Sequence, residues 1–217
     1  EGYDGDPVSV PGYEYTDDGL HMVPADWSTF TPFGTVQTKE KVDLKDGVYM
    51  LVRVDNFTYS GDKWFNINIW DSVNICPGEQ TFGAGLQTLI RPSDAPAEGK
   101  PGSINEVQWF HGPFTHGGNS TMATDATKAD DNGCPLMALT VTWDGTTYSV
   151  EINGAKAPQA SIDFMNQKWG GADSEAYIGL MLHHTNKAGK MKITVLKYGT
   201  TAENQSGGIV YPSAYPY

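Results

Sequence analysis

The segment Lys63–Asp71, KWFNINIWD, alternates between two kinds of side chain at every step. In an extended strand, successive side chains point to opposite faces of a sheet, so each kind occupies its own face. One face is wholly apolar and is predicted to lie in a core: Phe65, Ile67 and Ile69. The other face carries two indoles and two amides: Trp64, Asn66, Asn68 and Trp70. The segment therefore predicts a β-strand whose second face needs a separate explanation.

The composition extends the β prediction to the whole chain. The 217 residues include 25 glycines and 13 prolines, and short β-branched and aromatic runs recur between turn signals without long helical periodicity. This pattern favours an all-β domain, and the length suffices for one large sandwich. We predict a single antiparallel two-sheet β-sandwich over residues 13–200, with a lead-in at 1–12 and the start of a linker at 201–217, as in a domain excised from a modular protein.

The alternation and the turn signals predict ten strands and one short helix. The strands are Tyr13–Met22, Gly34–Lys41, Val48–Asn56, Lys63–Asp71, Gly85–Arg91, Ile104–His111, Leu136–Trp143, Thr147–Ile152, Ala176–His184 and Lys190–Tyr198. Asp144-Gly145, between two alternating runs, predicts a tight hairpin, and Ser161–Lys168 is the predicted helix. Residues 92–103 and 112–135 are predicted to be long loops, which are often functional.

The net charge of −12 restricts the choice of partner. An acidic surface repels nucleic acid and anionic membranes, so neither is predicted to bind. A neutral partner is favoured.

Cys76 and Cys134 are the two cysteines of the chain. In an exported protein they could form one disulfide, whereas in a reducing compartment they would be two unrelated thiols. The sequence leaves both alternatives open.

The second face of KWFNINIWD suits a sugar ligand. An indole offers a flat apolar platform, and asparagine offers donors and an acceptor without charge. Sugars have apolar C–H faces and a rim of hydroxyls, and two tryptophans about 20 Å apart along one strand would span several rings. The alternative is that a loop covers this face.

Neighbouring segments supply further candidates for the same site. Arg53, on the preceding strand, is expected to share the outward face. The strand around Gln108 and Trp109 alternates ambiguously, so Trp109 fits a core position as well as a platform. Trp169 in a loop is either a platform or a plug over the core. The predicted glycan-binding set is Arg53, Trp64, Asn66, Asn68, Trp70, Gln108, Trp109, Trp169 and His183.

The sequence contains no strong catalytic or metal-binding pattern. Glycosidases usually need two facing carboxylates, and no predicted strand carries a Glu-x-Asp-x-Glu pattern. The histidines and cysteines lack zinc-ligand spacing, and the segment Asp130–Gly133 lacks the full calcium-loop pattern. No catalytic residue, cofactor or metal ligand is predicted, and a structural calcium ion is left unassigned.

Two C-terminal segments carry a family resemblance. Residues 140–154, TVTWDGTTYSVEING, resemble the hairpin of laminin-G and concanavalin-like jelly rolls, and residues 176–199, AYIGLMLHHTNKAGKMKITVLKYG, resemble their closing strand pair. The resemblance implies a jelly-roll sandwich. The whole chain also resembles the non-catalytic starch-binding modules of gut-bacterial cell-surface, amylosome-type starch-degrading proteins, which implies α-glucan binding by aromatic stacking and hydrogen bonds.

These features predict an extracellular or cell-surface module that binds a neutral polysaccharide, with starch favoured, beside other modules of one polypeptide. Three alternatives stay open: a concanavalin-like glycoside hydrolase or lyase, a module for β-glucan or xylan, and an adhesion module that recognises a protein.

Overall fold

The computed structural model describes residues 13–16, 19–22, 33–38, 40–55, 65–71, 85–90, 106–112, 115–121, 128–129, 135–183 and 192–202. Every strand in those ranges belongs to one of two antiparallel sheets. The predicted all-β, antiparallel two-sheet sandwich is confirmed.

The described elements are fifteen strands, one turn of 3-10 helix at Leu44–Asp46 and one α-helix. They are β1 (Tyr13–Thr16), β2 (Gly19–Met22), β3 (Phe33–Gln37), β4 (Val42–Asp43), β5 (Val48–Asp55), β6 (Phe65–Trp70), β7 (Gly85–Ile90), β8 (Glu106–Gly112), β9 (Thr115–Thr121), β10 (Lys128–Ala129), β11 (Pro135–Trp143), β12 (Tyr148–Ile152), β13 (Ala155–Lys156), α1 (Gln159–Trp169), β14 (Glu175–His183) and β15 (Lys192–Gly199).

The two sheets divide the strands in an order that differs from their order in the chain. Sheet A runs β1-β2-β15-β5-β11-β12-β13, with β10 paired to β11. Sheet B runs β3-β14-β6-β7-β8-β9, with β4 paired to β14. The successive strands β5 and β6 therefore lie in different sheets, which matters for the site described below.

The core lies between the sheets and is built from alternate residues of each strand. On β6 the residues Phe65, Ile67 and Ile69 are at most 1% exposed, as the alternation predicted. They belong to one apolar cluster with the inward residues of β5, β8, β11 and β14. Burial of this apolar surface is the main favourable contribution to the stability of such a sandwich.

The predicted hairpin at Asp144-Gly145 joins β11 to β12. The strands pair from Trp143 opposite Tyr148 onward, and the Asp144 carboxylate accepts hydrogen bonds from the backbone N–H groups of Thr147 and Thr146, both at 2.8 Å. These two donors lower the pKa of the Asp144 carboxyl. Gly145 has φ 98°, a left-handed conformation that suits glycine in a tight turn.

Two predicted elements differ in the structure. The predicted strand Tyr13–Met22 is a pair of short antiparallel strands, β1 and β2. Residues 112–135, predicted to be a loop, contain β9 and β10. The sequence of β9, THGGNST, has no buried residue to alternate with its polar ones. Among the described strands, β9 lies at the edge of sheet B and pairs with β8 alone.

The helix α1 is longer than predicted and ends at Trp169. It has 11 residues, and no helix in the described ranges is long and apolar enough to cross a membrane.

Candidate functional site

The face of β6 that was predicted to bind sugar is buried. Asn66 is 4% exposed, and Asn68 and Trp70 are 0% exposed. The Trp70 ring lies over two glycines of the flanking strands, Gly85 of β7 and Gly179 of β14, where any Cβ would collide with it. The prediction that Trp70 is an exposed platform is therefore wrong, and Trp64 lies outside the described residues.

The two asparagines hold β6 against β7. Asn66 Nδ2 donates to the carbonyl of Thr88, and Asn68 Oδ1 accepts from the Thr88 N–H at 3.1 Å. The Thr88 hydroxyl accepts from Ile67 N–H at 2.9 Å and donates to Ile67 C=O at 2.8 Å. These side-chain bonds stand where the ladder between the strands is interrupted, so both asparagines have a structural role that the alternation alone did not indicate.

Part of each amide nevertheless remains without a partner. The Asn66 nitrogen is held by its bond to the Thr88 carbonyl, and the Asn68 oxygen is held by its bond from the Thr88 N–H. Within the described parts of β6 and β7, five buried atoms have no hydrogen-bond partner: Asn66 Oδ1, Asn68 Nδ2, Trp70 Nε1, Gln87 Nε2 and Gln87 Oε1. We call these four residues the β6–β7 polar strip. Such groups are few in folded proteins, because each one costs free energy when it is left unpaired.

Three other predicted site residues are also buried, each for its own reason. Arg53 is 2% exposed and lies on β5 in sheet A, so it does not share a face with β6. Trp109 is 0% exposed on the core face of β8, where its Nε1 donates to Ser120 Oγ at 2.6 Å. Trp169 is 1% exposed at the end of α1. As ligand contacts, these three predictions are wrong.

The backbone of Trp169 is a hydrogen-bond partner of Tyr148, a tyrosine whose pKa is raised. The Tyr148 hydroxyl donates to the Trp169 carbonyl at 2.8 Å. Burial, followed by the charge of Asp43, raises the pKa of Tyr148 to about 12. Trp169 is thus the plug over the core that was the alternative to a ligand platform.

For the remaining predicted residues, the structure describes either the backbone alone or nothing. His183 ends β14, but its side chain lies outside the described residues. Cys76, Cys134 and the segment Asp130–Gly133 lie outside them as well. In the described ranges, no three His, Cys, Asp or Glu side chains come together as metal ligands.

Gln108 is the predicted residue that the structure leaves partly exposed. It points outward from β8 together with Glu106 and Phe110, because Val107 and Trp109 point into the core. Across the edge, Gln108 pairs with Asn119 of β9, and Phe110 pairs with His116. Glu106, Gln108, Phe110, His116 and Asn119 form what we call the β8–β9 cluster.

A chain of hydrogen bonds orders this cluster. Gln108 Nε2 and Asn119 Nδ2 both donate to Glu106 Oε1, at 3.4 and 3.2 Å. The oxygen of Asn119 then lies 2.9 Å from His116 Nε2. The His116 ring packs against Phe110 with 5.1 Å between centroids and 57° between planes. The cluster thus combines an aromatic ring with neutral amides, an imidazole and one carboxylate on an accessible edge.

The cluster and the polar strip lie on the same face of sheet B. Gln87 of β7 pairs with Phe110 of β8. The register that sets Phe65 opposite Ile90 and Ile69 opposite Leu86 also sets Asn68 opposite Gln87. Polar groups therefore continue across four strands, from β6 to β9.

Comparison with known proteins identifies the fold. No protein-family model matches the chain, and no curated protein matches it by sequence. Solved structures do match: the carbohydrate recognition domain of Emp46p in its metal-free form has a TM-score of 0.54 at 12% identity, over 87% of this chain and 84% of that one. The Emp47p carbohydrate recognition domain has a TM-score of 0.52 at 14% identity, over 87% and 85%. The legume lectin-like domain from Entamoeba histolytica has a TM-score of 0.51 at 10% identity, over 88% of each chain.

At these identities the likeness establishes the fold alone. The chain has the two-sheet sandwich seen in legume lectin-like domains, in agreement with the concanavalin-like jelly roll that the C-terminal segments resembled.

Proposed function

We propose that this chain is a non-catalytic carbohydrate-binding domain, and that it holds a neutral polysaccharide on the outer face of sheet B at the β8–β9 cluster. The observation that carries the proposal is the arrangement of Phe110 among Gln108, Asn119 and Glu106 on an accessible edge. A flat ring offers stacking to the C–H face of a sugar, and the polar groups beside it offer bonds to its hydroxyls.

The polar strip lies beside the cluster on the same face of sheet B, but its residues are at most 4% exposed, so they do not contact a ligand there. Solved domains of similar fold are named carbohydrate recognition domains, which favours this function over protein adhesion.

The spacing of carboxylates favours binding over hydrolysis at this face. Glycosidases hold two carboxyl groups within about 5–10 Å of each other. Glu106 is the single carboxylate of the cluster. Among the described pairings, Val107, the neighbour of Glu106, aligns through Ile90 and Phe65 with Leu182 of β14. Glu175, on the outer face of that strand, lies about 23 Å from Leu182 along it.

Starch is the first ligand to test, because the whole-chain resemblance implied α-glucan and the net charge of −12 disfavours acidic polymers. Such a module would act outside the cell or at its surface, beside other modules of one polypeptide. The test is affinity gel electrophoresis of the wild-type protein in starch, β-glucan, xylan and mannan. We expect slowed migration in starch and no release of sugar.

Two variants locate the site. Phe110→Ala removes the stacking ring and is expected to weaken retention by about 1–3 kcal/mol, by analogy with stacking on other flat ligands. Asn119→Ala changes an exposed residue and is expected to weaken retention with the melting temperature unchanged. Tyr198→Ala is the matched control, since Tyr198 is an exposed aromatic on β15 in sheet A. Full retention of folded Phe110→Ala and Asn119→Ala proteins would place the site elsewhere.

A further inference from the structure

The hydrogen bonds of the β8–β9 cluster have a direction that determines which atoms face a ligand. Asn119 donates its nitrogen to Glu106, so its oxygen points at His116. Because an amide oxygen only accepts, the facing His116 Nε2 must carry the proton and donate. In the neutral imidazole, Nδ1 is then an acceptor.

The same logic applies to the other amide of the cluster. Gln108 Nε2 is turned toward Glu106, which leaves Gln108 Oε1 as the outer atom. Both amide donors share one oxygen of Glu106, so Oε2 of that carboxylate keeps its lone pairs. The atoms that the cluster offers to a ligand are therefore mainly acceptors: Glu106 Oε2, Gln108 Oε1 and His116 Nδ1.

The carboxylate of this array has only amide partners among the residues that the structure describes. In the described part of the chain, Glu106 is bonded by the two amide groups and has no cationic partner. The chain as a whole carries a net charge of −12, which reinforces the local negative potential. A ligand that donates hydrogen bonds or carries positive charge complements such a site, and an anionic ligand is repelled by it.

We propose that Glu106 is a specificity-determining residue that ranks glycans by charge: a sugar with a protonated amine binds more tightly than the neutral sugar, and a sugar with a carboxylate binds least. This inference rests on the proposed function and deepens it. The ranking follows from an ammonium donating to the acceptor array, a hydroxyl donating without charge, and a uronate carboxylate facing Glu106 across the site.

The test is a direct titration followed by the NMR signals of the His116 ring and the Asn119 side-chain amide. The probes are glucosamine, methyl glucoside, N-acetylglucosamine and glucuronate, at about pH 7, where a primary amine is protonated. We expect glucosamine to bind about two- to fivefold more tightly than methyl glucoside, and glucuronate to bind more weakly by a similar factor, as exposed charge pairs allow. N-acetylglucosamine, whose nitrogen is uncharged, is expected to match methyl glucoside.

Two variants separate the local charge from the overall one. Glu106→Gln keeps an acceptor oxygen for Gln108 and Asn119 and removes the charge, so the glucosamine-to-glucoside ratio is expected to fall to about one. Glu151→Gln makes the same change of net charge on β12 in sheet A, and the ratio is expected to stay as in the wild type. If Glu106→Gln fails to fold, the wild-type ratio at high ionic strength replaces it and is expected to fall, because salt screens exposed charges.

Each outcome decides between the two proposals. Equal affinity of the wild type for the three charge classes, or a ratio that persists in Glu106→Gln, overturns the inference and leaves carbohydrate binding intact. Absence of shifts with all four sugars, together with free migration in every polysaccharide gel, overturns both.

Discussion

Adjacent residues of β6 have opposite roles even though they share one strand. Ile67 points into the core between the sheets and is 1% exposed, whereas Asn68 points to the outer face and bonds Thr88 of the next strand. The alternation of side chains assigns each residue to its face. What each face contacts depends on the rest of the fold.

Ile67→Ala is expected to destabilise the protein by about 2–4 kcal/mol, because it leaves a cavity in a packed core. Urea unfolding followed by tryptophan fluorescence measures the loss. Ser149→Ala, at an exposed position of β12, serves as the control and is expected to change stability by less than about 0.5 kcal/mol. A similarly small loss for Ile67→Ala would contradict the assignment of this face to the core.

The sequence predicts the core residues of β6 better than the residues of the site, for a physical reason. The burial of Phe65, Ile67 and Ile69 is predictable because they are apolar and occupy every second position of the strand. Trp70 and Asn68 suit a sugar or a covered face equally well, and only their contacts with Gly179 and Thr88 distinguish the two. Sequence alternation also cannot assign strands to sheets. Arg53 was therefore predicted to share a face with β6, although β5 and β6 lie in different sheets.

At the level of elements, the junction of β6 with β7 is closed by side chains rather than by a continuous ladder. Thr88 Oγ1 satisfies both the N–H and the C=O of Ile67, and the two asparagines satisfy the backbone of Thr88. Sequence reasoning gave no sign of this arrangement, because threonine in a strand is ordinary and its bonding depends on the local separation of the strands.

Thr88→Val tests the importance of this junction. Valine has nearly the shape of threonine but no hydroxyl, so the two buried backbone groups of Ile67 would lose their partner, at a cost of about 1–3 kcal/mol for each group. Thr88→Ser, which keeps the hydroxyl, is expected to lose less. Chemical unfolding measures the stabilities, and hydrogen exchange of the Ile67 amide reports locally. Wild-type stability and slow exchange in Thr88→Val would show that the backbone closes the junction unaided.

The edge strand β9 shows a second limit of sequence reasoning at this scale. Its glycines and polar residues predict a loop, yet pairing with β8 extends it and brings His116 and Asn119 beside Phe110 and Gln108. Two of the five residues of the candidate site thus lie on a strand that has no periodic signal. The signal that was available is the outward set Glu106, Gln108 and Phe110 on the strand next to it.

At the scale of the whole molecule, the net charge of −12 makes the salt dependence of affinity a test of the ligand's charge, because a charged and a neutral partner respond differently to salt. A charged partner would be attracted or repelled by the field of the whole domain, and screening would change its affinity over the Debye length of about 10 Å at 0.1 M salt. A neutral glycan forms no ion pair and releases no counterions, so its binding depends on stacking and hydrogen bonds that salt hardly affects.

Affinity for starch is therefore expected to stay nearly constant as sodium chloride rises from about 0.05 to about 0.5 M, a range over which the Debye length falls severalfold. Isothermal titration with a maltooligosaccharide measures the dissociation constant at each salt concentration, and the thermal midpoint measured in the same buffers controls for changes in the fold. A steep loss of affinity with salt would instead indicate a charged partner held by long-range attraction. Since the domain is acidic, that partner would be a basic surface, and the role of the β8–β9 cluster would be recognition of a protein rather than of a neutral glycan.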